Sequence, residues 1–306
     1  MVTKNVHTTV DGHRIRLSHP DKQMFPAVGF TKRDLVDYYT AIAPVLLPHL
    51  DSRPLTRIRW PNGVTDGRFF EKNAPAGTPE WVRTELIASP GSTKDRTHVD
   101  YVVAQDTATL VWLANLAALE LHTPQWRIDG DEEERRPDRL VADLDPGEPA
   151  DITDCARVAL LLRDRFARDG LTSYAKTSGK KGIHVCCPIS GEQPHQVVSD
   201  YVKTVAQELE REHGDLIVSK MLKKLRHGKV FIDWSQNNAA KTTVSVYSLR
   251  AAQAPTVSIP VTWDEVESGA PPVAGPEEAL ARVDRDGDGF APLLVTGPPV
   301  PVLTPR

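Results

Sequence analysis

The amino-acid sequence predicts an α/β protein, of the α+β type, in which helices flank a mixed central sheet. Segments with apolar residues at helical spacing alternate along the chain with short runs rich in β-branched residues. The length of 306 residues allows two domains or one large one, and a hydrophobic content of 40% excludes wholesale disorder.

The individual elements follow from start signals and periodicity. Thr31 with Asp34 resembles a helix start, and Gly170 is typical of a helix end. The predicted helices cover residues 31–48, 106–121, 151–170, 194–214 and 276–283. The predicted strands cover residues 140–145, 183–187, 229–234 and 242–249. We expect one domain over residues 1–290, with two lobes, and a Pro-rich tail without fixed structure over residues 291–306.

Composition limits the cellular setting. The formal net charge of −4 gives no global attraction to nucleic acid or anionic membrane, so such a function requires a local patch. The 3 cysteines form no C-x-x-C pair, which favours a reducing compartment over a disulfide framework. Residues 1–13 lack the apolar region of a secretory signal, and the most apolar stretch is too short to span a bilayer. We therefore expect a cytoplasmic protein without a membrane contact.

Two carboxylates share one face at the end of a predicted strand. Asp143 and Asp145 are two residues apart, so both point the same way and Leu144 points the other way. Two adjacent charges are unfavourable unless a cation or hydrogen-bond donors neutralise them, and a divalent metal ion is one solution. The bland alternative is a solvated turn ending in Pro146 and Gly147.

A third carboxylate, Asp233, lies in an apolar strand where an unpaired charge is out of place. Three carboxylates from two strands have the composition of a two-metal phosphoryl-transfer site. The alternative for Asp233 alone is an ion pair with a core Arg or Lys.

Residues 177–184 combine two glycines, two lysines and hydroxyl groups in a loop that leads into a strand. Its backbone N–H groups and cations suit phosphate oxygens, although the loop lacks the Walker pattern. His184 alternates with its apolar neighbours; beside this loop it is either a ligand or a satisfied core residue.

A local basic patch brackets Asp233. Between Lys220 and Lys241 the chain carries six lysines and arginines against one acid, which suits a nucleic-acid backbone, although charge runs are usually solvated surface. A second cluster contains Lys22, Lys32 and the adjacent aromatics Phe69 and Phe70. Adjacent aromatics with basic neighbours can stack on bases, although one of such a pair is normally core.

Taken together, these motifs resemble the polymerase domain of bacterial ligase D, in the archaeo-eukaryotic primase superfamily. The resemblance runs from about Leu17 to at least Trp263. It rests on segments at residues 21–22, 59–63, 69–73, 122–126, 143–147, 177–179, 233–237 and 247–250.

The resemblance implies a primase-polymerase fold whose central sheet carries the catalytic carboxylates. It implies that Asp143, Asp145 and Asp233 bind two divalent ions, manganese being favoured over magnesium. The incoming nucleoside triphosphate would contact His122, Ser178, Lys181, Gln236 and Arg250. DNA would be bound through Lys22 and Lys32 at a 5′-phosphate, through Phe69 and Phe70 at template bases, and through Arg226. Such enzymes favour ribonucleotides, fill short gaps at breaks, and act beside Ku and a ligase at the nucleoid.

Two departures and two alternatives remain at this point. His19 replaces the short polar residue expected before the Pro-Asp-Lys triplet, and Ile58 stands where some relatives carry a basic residue. No K-x-D-G ligase motif is present, which leaves open a stand-alone polymerase or an excised domain. A metal-dependent glycosyltransferase also uses D-x-D, but it needs no basic patch. A DNA-end-binding module without catalysis leaves the three carboxylates unexplained.

Overall fold

The structure is a computed structural model that describes residues 6–88, 97–128 and 136–303. Its helices are α1 (Lys32–Leu50), α2 (Thr107–Asn115), α3 (Ile152–Arg168), α4 (His195–Glu212), α5 (Trp263–Glu267) and α6 (Pro276–Asp286). Its strands are β1 (Val6–Val10), β2 (His13–Leu17), β3 (Gln23–Phe25), β4 (Phe30–Thr31), β5 (Thr56–Arg59), β6 (Phe69–Glu71), β7 (Thr84–Ala88), β8 (His98–Val102), β9 (Ala118–Thr123), β10 (Arg139–Pro146), β11 (Tyr174–Thr177), β12 (Ile183–Pro188), β13 (Ile217–Val218), β14 (Val230–Asp233), β15 (Thr243–Val244), β16 (Leu249–Ala251), β17 (Pro255–Val257) and β18 (Pro260–Val261). This mixture of helices and sheets confirms the predicted fold class.

The chain divides into two compact units, each built from several segments. The first comprises Met1–Thr123, Tyr247–Thr256 and Gly275–Gly287. The second comprises Pro124–Val246, Val257–Ala274 and Asp288–Arg306.

The second unit is organised by a mixed sheet in the order β13-β14-β10-β12-β11-β18. Strand β10 pairs antiparallel with β12 on one side and with β14 on the other, whereas β13 and β14 are parallel. Helix α3 packs on β10 and β12, and α4 packs on β10 and β13. Both helices begin and end close to the predicted positions, and Asp151 caps α3 with a complete capping box.

The first unit contains the antiparallel strands β9, β5 and β6 and the hairpins β1–β2 and β7–β8. Helix α1 packs against α2, and its Leu35, Ile42 and Leu46 are fully buried. Thr31 accepts a hydrogen bond from the Asp34 amide, and the Asp34 carboxylate accepts one from the Thr31 amide. The predicted start of α1 is therefore confirmed.

The helix predicted over residues 106–121 is wrong in its second half. Helix α2 ends at Asn115, Ala117 adopts a left-handed φ of 59°, and residues from Ala118 onward form β9. An unbroken apolar run suits a buried helix and a buried strand equally well, so periodicity could not separate them. Pairing of β9 with β5 decides the outcome.

Two further expectations near the C-terminal end are also wrong. The strand predicted over residues 242–249 is interrupted at Tyr247, whose φ is 62°, and becomes β15 and β16. The Pro-rich segment is ordered over residues 291–303. There Val300 is 2% exposed and exchanges backbone hydrogen bonds of 2.7 and 2.9 Å with the Gln193 side chain. A side chain at Gly297 would meet the Pro188 carbonyl oxygen at 2.0 Å, so glycine permits this close packing.

No helix in the described part of the chain is both long and apolar enough to cross a membrane. The cysteines Cys155, Cys186 and Cys187 are buried and free.

Candidate active site

Three aspartates lie at one edge of the sheet in the second unit. Asp143 on β10 is directly opposite Asp233 on β14, and Asp145 is opposite Phe231. Because strand residues alternate between faces, Asp145 shares the face of Asp143. The predicted association of the three aspartates thus follows from the strand register.

Each of these carboxylates has a different partner. His184, directly opposite Asp143 on β12, places Nε2 3.2 Å from Asp143 Oδ1. Arg226 donates from Nη1 to Asp145 Oδ2 at 3.0 Å. Asp233 accepts from the amide and hydroxyl of Ser235 at 3.0 and 2.6 Å, and from Gln236 Nε2 at 2.8 Å. Gln236, predicted to bind nucleotide, therefore holds an aspartate in this state.

The site carries excess negative charge. Loss of hydration at the strand end raises the pKa of Asp145, and the charges of Asp143 and Asp233 raise it further, whereas Arg226 opposes them. Within residues 6–88, 97–128 and 136–303, no three His, Cys, Asp or Glu side chains already form a metal-ion cluster. The oxygen donors suit divalent ions in type and charge, and each of the three carboxylates has a protein partner in this structure.

The segment that carries Arg226 lies directly against the turn after β10. Gly147 donates to the Lys229 carbonyl at 2.9 Å, and a side chain at Gly147 would meet the Arg226 carbonyl oxygen at 2.0 Å. The Arg226 guanidinium also lies 3.8 Å from the centre of the Phe231 ring. Glycine at position 147 is therefore required for Arg226 to reach Asp145.

The Ser178 loop is closed upon itself. Ser178 Oγ accepts from the Lys180 amide at 3.2 Å and the Gly182 amide at 3.1 Å. A side chain at Gly182 would meet the Leu144 carbonyl oxygen at 2.1 Å, so the loop lies tightly against β10. Lys181 Nζ is exposed and pairs with Glu148 Oε1 at 2.5 Å. The two predicted phosphate contacts are thus near the aspartate-bearing strand, with Lys181 held by a surface carboxylate.

The basic patch of the second unit is largely exposed, which is expected both for a surface that meets a polyanion and for a solvated charge run. Lys220, Lys223, Lys224 and Lys241 are exposed, whereas Lys229 is half-buried and donates to the Gly214 carbonyl at 2.5 Å. Between the lysines, Met221 and Leu222 are 50% and 58% exposed. The segment thus presents both cations and apolar groups to solvent.

His122 and Arg250, also predicted to bind nucleotide, lie in the first unit around a buried acid. Glu120 is 1% exposed, and its Oε2 is 3.1 Å from His122 Nε2 and 3.2 Å from Arg250 Nε. Its other oxygen accepts from the Ala251 amide at 3.0 Å. Sequence reasoning missed Glu120 because it lay in the predicted helix; alternation along a strand would have placed it on the face of His122.

Lys22 and Lys32 lie close together in the first unit, as predicted, with Arg59 beside them. Lys22 Nζ donates to the Pro61 carbonyl at 2.8 Å. Burial lowers the pKa of Lys32 to about 8, and the charges of Lys22 and Arg59 contribute. Among the residues that the structure describes, no carboxylate pairs with Lys22 or Lys32, and a cluster of three cations suits an anion.

The backbone N–H groups at the start of α1 already have acceptors. Free N–H groups at a helix N-terminus would otherwise attract a phosphate. The Lys32 amide donates to the Lys22 carbonyl at 2.8 Å and the Arg33 amide to the Pro20 carbonyl at 2.9 Å. The Asp34 amide is used by Thr31. The preceding turn has therefore satisfied these donors, and the side chains carry any anion binding.

Phe69 and Phe70 are both 56% exposed on β6. The expectation that one of them belongs to the core is wrong, because β6 is a short strand paired on one side with β5. Ile58, a departure from the family pattern, is opposite Phe70. His19, the other departure, adopts a left-handed φ of 48° in the turn before Lys22.

Comparison with known proteins agrees with these features. A family model described as "LigD, primase-polymerase domain" matches residues 31–290. The chain is 42% identical over 292 residues to "Multifunctional non-homologous end joining protein LigD" of Mycolicibacterium smegmatis, covering 95% of this chain and 37% of that protein. It is 33% identical over 279 residues to "Bifunctional non-homologous end joining protein LigD" of Bacillus subtilis, covering 90% of this chain and 44% of that protein.

A solved structure gives the same result for the fold. "Polymerase Domain from Mycobacterium tuberculosis Ligase D in complex with DNA" superposes with a TM-score of 0.85 at 40% identity, covering 92% of this chain and 98% of that chain. The chain spans less than half the length of the two full-length relatives named above. Because the family model covers most of the chain and relatives of 33% and 42% identity match nearly all of it, the chain belongs to the LigD primase-polymerase domain family.

Proposed function

We propose that this chain is a metal-dependent nucleotidyltransferase that adds nucleotides, preferably ribonucleotides, to a DNA 3′ end at breaks and short gaps. The observation that carries the proposal is the register that sets Asp143 opposite Asp233 with Asp145 on the same face. Family membership removes the reason for the glycosyltransferase hypothesis, because the matched residues include all three aspartates.

Asp143, Asp145 and Asp233 would hold two divalent ions, manganese or magnesium. Such ions stabilise charge on the attacking and leaving oxygens of a phosphoryl transfer. The residues fit this role because loss of hydration, and then the charges of Asp143 and Asp233, raise the pKa of Asp145, and bound cations would relieve that repulsion. His184 contributes by orienting Asp143 from the neighbouring strand, and Ser235 by orienting Asp233.

The remaining residues would bind the reactants. We assign Ser178, Lys181 and Gln236 to the nucleoside triphosphate; exchange of Glu148 for a phosphate oxygen would free Lys181 for that contact. We also assign His122 and Arg250 to the nucleotide, with Glu120 orienting both side chains. Single substitutions of these five residues test this assignment.

DNA would contact basic and aromatic side chains. Lys22 and Lys32 would bind the 5′-phosphate of a downstream strand, and the exposed rings of Phe69 and Phe70 would stack on template bases. Arg226 and the Lys220–Lys241 patch would follow the backbone near the aspartates.

The names of the relatives suggest the biological setting. The Mycolicibacterium smegmatis relative is named a non-homologous end joining protein, and the solved polymerase domain is in complex with DNA. We extend this setting to the present chain: it would act in the cytoplasm at the nucleoid, with Ku and a DNA ligase as partners.

Extension of a labelled primer on gapped DNA tests the proposal. The protein should add nucleotides when Mn²⁺ is supplied and stop when a chelator removes it, with ribonucleotides used better than deoxyribonucleotides. Binding of the gapped DNA without any extension, under all metal conditions, would favour the DNA-end-binding module instead.

A further inference from the structure

Lys32 is held by two residues that neither the sequence motifs nor the proposed function assigns. Its ammonium group is within hydrogen-bond distance of the Asn115 carbonyl oxygen at 2.7 Å, Ser18 Oγ at 2.9 Å and Asn115 Oδ1 at 3.3 Å. An ammonium group has three N–H donors, so these three acceptors use all of them. Lys32 is 5% exposed, and its orientation is therefore set by Ser18 and Asn115.

Asn115 also joins the segments around this lysine. Its Nδ2 donates to the Arg16 carbonyl at 3.0 Å, while its Oδ1 accepts from the Ser18 amide at 2.9 Å and the Ser18 hydroxyl at 3.3 Å. The end of β2, the start of α1 and the end of α2 are thus linked through one amide side chain.

The acceptors around Lys32 are all neutral. The backbone carbonyl and side-chain amide oxygens of Asn115 and the Ser18 hydroxyl carry no charge that would cancel that of Lys32. The acceptor of Lys22 is also a neutral carbonyl oxygen. Arg59 differs, because it forms an ion pair with Glu71 at 3.0 Å, as Arg33 does more loosely with Asp21 at 3.9 Å. The charge on Lys22 and Lys32 is therefore still available to an anion.

The contact from Lys32 to Asn115 Oδ1 is the longest of the three, at 3.3 Å, so this acceptor is the most easily replaced. Asn115 Oδ1 retains the Ser18 amide and hydroxyl when Lys32 moves away, so no buried acceptor is left unsatisfied. The carbonyl oxygen of Asn115 and the Ser18 hydroxyl would continue to hold the ammonium group.

We propose that Asn115, with Ser18, is the positioning residue of this phosphate site: it holds Lys32 beside Lys22, and a terminal phosphate oxygen replaces Asn115 Oδ1 on the ammonium group. The inference deepens the proposed function, because it rests on the assignment of Lys22 and Lys32 to the 5′-phosphate. It adds that the neutral character of position 115 sets the charge of that site.

The experiment measures the affinity for gapped DNA with and without a 5′-phosphate on the downstream strand, between pH 7 and 9. The phosphate is dianionic over this range, since its second pKa is about 6. The wild-type chain should prefer phosphorylated DNA about tenfold at pH 7, and the preference should fall with a midpoint near the Lys32 pKa of about 8. The other charged groups that face this site, Lys22, Arg59 with Glu71, and Arg33 with Asp21, are unchanged in every variant.

Two substitutions at position 115 should shift the pH at which the phosphate preference is lost, Asn115→Ala to lower pH and Asn115→Asp to higher pH. Asn115→Ala removes one acceptor from the ammonium group, so the preference for phosphorylated DNA should shrink at least threefold. As the pH rises, the remaining preference should be lost at a lower pH than in the wild type. Asn115→Asp supplies a carboxylate, which neutralises the site and keeps Lys32 protonated. The preference should then be small at pH 7 and nearly independent of pH up to 9.

Position 18 offers matched variants if Asn115→Ala fails to fold. Ser18→Ala removes one contact to Lys32 and should reduce the preference for phosphorylated DNA. Ser18→Thr keeps the hydroxyl and should show the wild-type preference. Affinity for unphosphorylated DNA should change less than twofold in all of these variants. Equal midpoints in the wild type and the position 115 variants would overturn the positioning role. A wild-type chain without any phosphate preference would instead refute the phosphate site itself, and the inference with it.

Discussion

Arg226 neutralises Asp145 across two separate segments of the chain, with Nη1 3.0 Å from Oδ2. The same guanidinium donates from Nη2 to the Met221 carbonyl and covers the Phe231 ring. The Arg226 guanidinium thus supplies the positive charge beside Asp145 that a metal ion would otherwise supply. We therefore expect the proposed metal binding and the position of the basic segment to be linked through the Arg226 side chain.

The first prediction follows from that link. Arg226→Ala leaves Asp145 beside Asp143 and Asp233 without its cation, so the affinity for Mn²⁺ should rise several-fold in the absence of DNA. Nucleotide addition should nevertheless fall, because a DNA contact is lost. Isothermal titration with Mn²⁺, compared with primer extension, separates the two effects.

Lys224→Ala is the matched control for this experiment, since Lys224 is exposed and lies two residues before Arg226 on the same segment. It should weaken DNA binding slightly and leave the affinity for Mn²⁺ unchanged. An identical metal affinity in the wild type and in Arg226→Ala would show that the ion pair does not compete with the metal.

The second prediction separates two cations that we assign to the nucleotide. Both Lys181→Ala and Arg250→Ala should raise the KM for nucleotide, since a charge-assisted hydrogen bond contributes about 1.5–3 kcal/mol. Only Arg250→Ala should also destabilise the chain, by roughly 3 kcal/mol, because Glu120 is buried and loses its cation. Lys181 pairs with Glu148 at the surface, where such pairs contribute little.

Thermal unfolding and steady-state kinetics of both variants test this difference. Replacing Glu120 together with Arg250, as Glu120→Gln with Arg250→Met, should recover most of the stability but not the KM. An unchanged KM in Lys181→Ala would remove that residue from the nucleotide site.

The third prediction concerns the exposed rings of β6. Phe69→Ala with Phe70→Ala should weaken binding of gapped DNA by about 1–3 kcal/mol per stacked base. The melting temperature should be unchanged, because both rings are already 56% exposed and contribute little to the core. Fluorescence anisotropy with gapped and fully paired DNA measures the effect; a drop in melting temperature with unchanged DNA affinity would identify the rings as structural.

Local signals explain which parts of the fold were predictable. The start of α1 is encoded by Thr31 and Asp34 alone, so the capping box appears where it was predicted. The boundary between α2 and β9 is not local: the apolar residues fit either element, and pairing with Thr56–Arg59 turns the second half into a strand. Periodicity carries no information about that partner.

The same distinction applies to the candidate site. The three aspartates were identified by residue type, because a carboxylate in an apolar strand is unusual. Their partners were not: His184 meets Asp143 through the register of β10 with β12, and Arg226 meets Asp145 across an 81-residue separation. Asn115 and Glu120 were missed because each lies in an apolar run and acts through another side chain.

The central claim is that Asp143, Asp145 and Asp233 together support metal-dependent nucleotide addition. The most direct measurement is single-nucleotide extension of a primer on gapped DNA with Mn²⁺, comparing the wild type with Asp145→Asn. Asp145→Asn keeps the side-chain shape and removes a repulsive charge, so the melting temperature should not fall. Extension should drop at least a thousandfold, and the stabilisation that Mn²⁺ gives the wild type should disappear. Full extension by Asp145→Asn, at the wild-type Mn²⁺ concentration, would contradict the account.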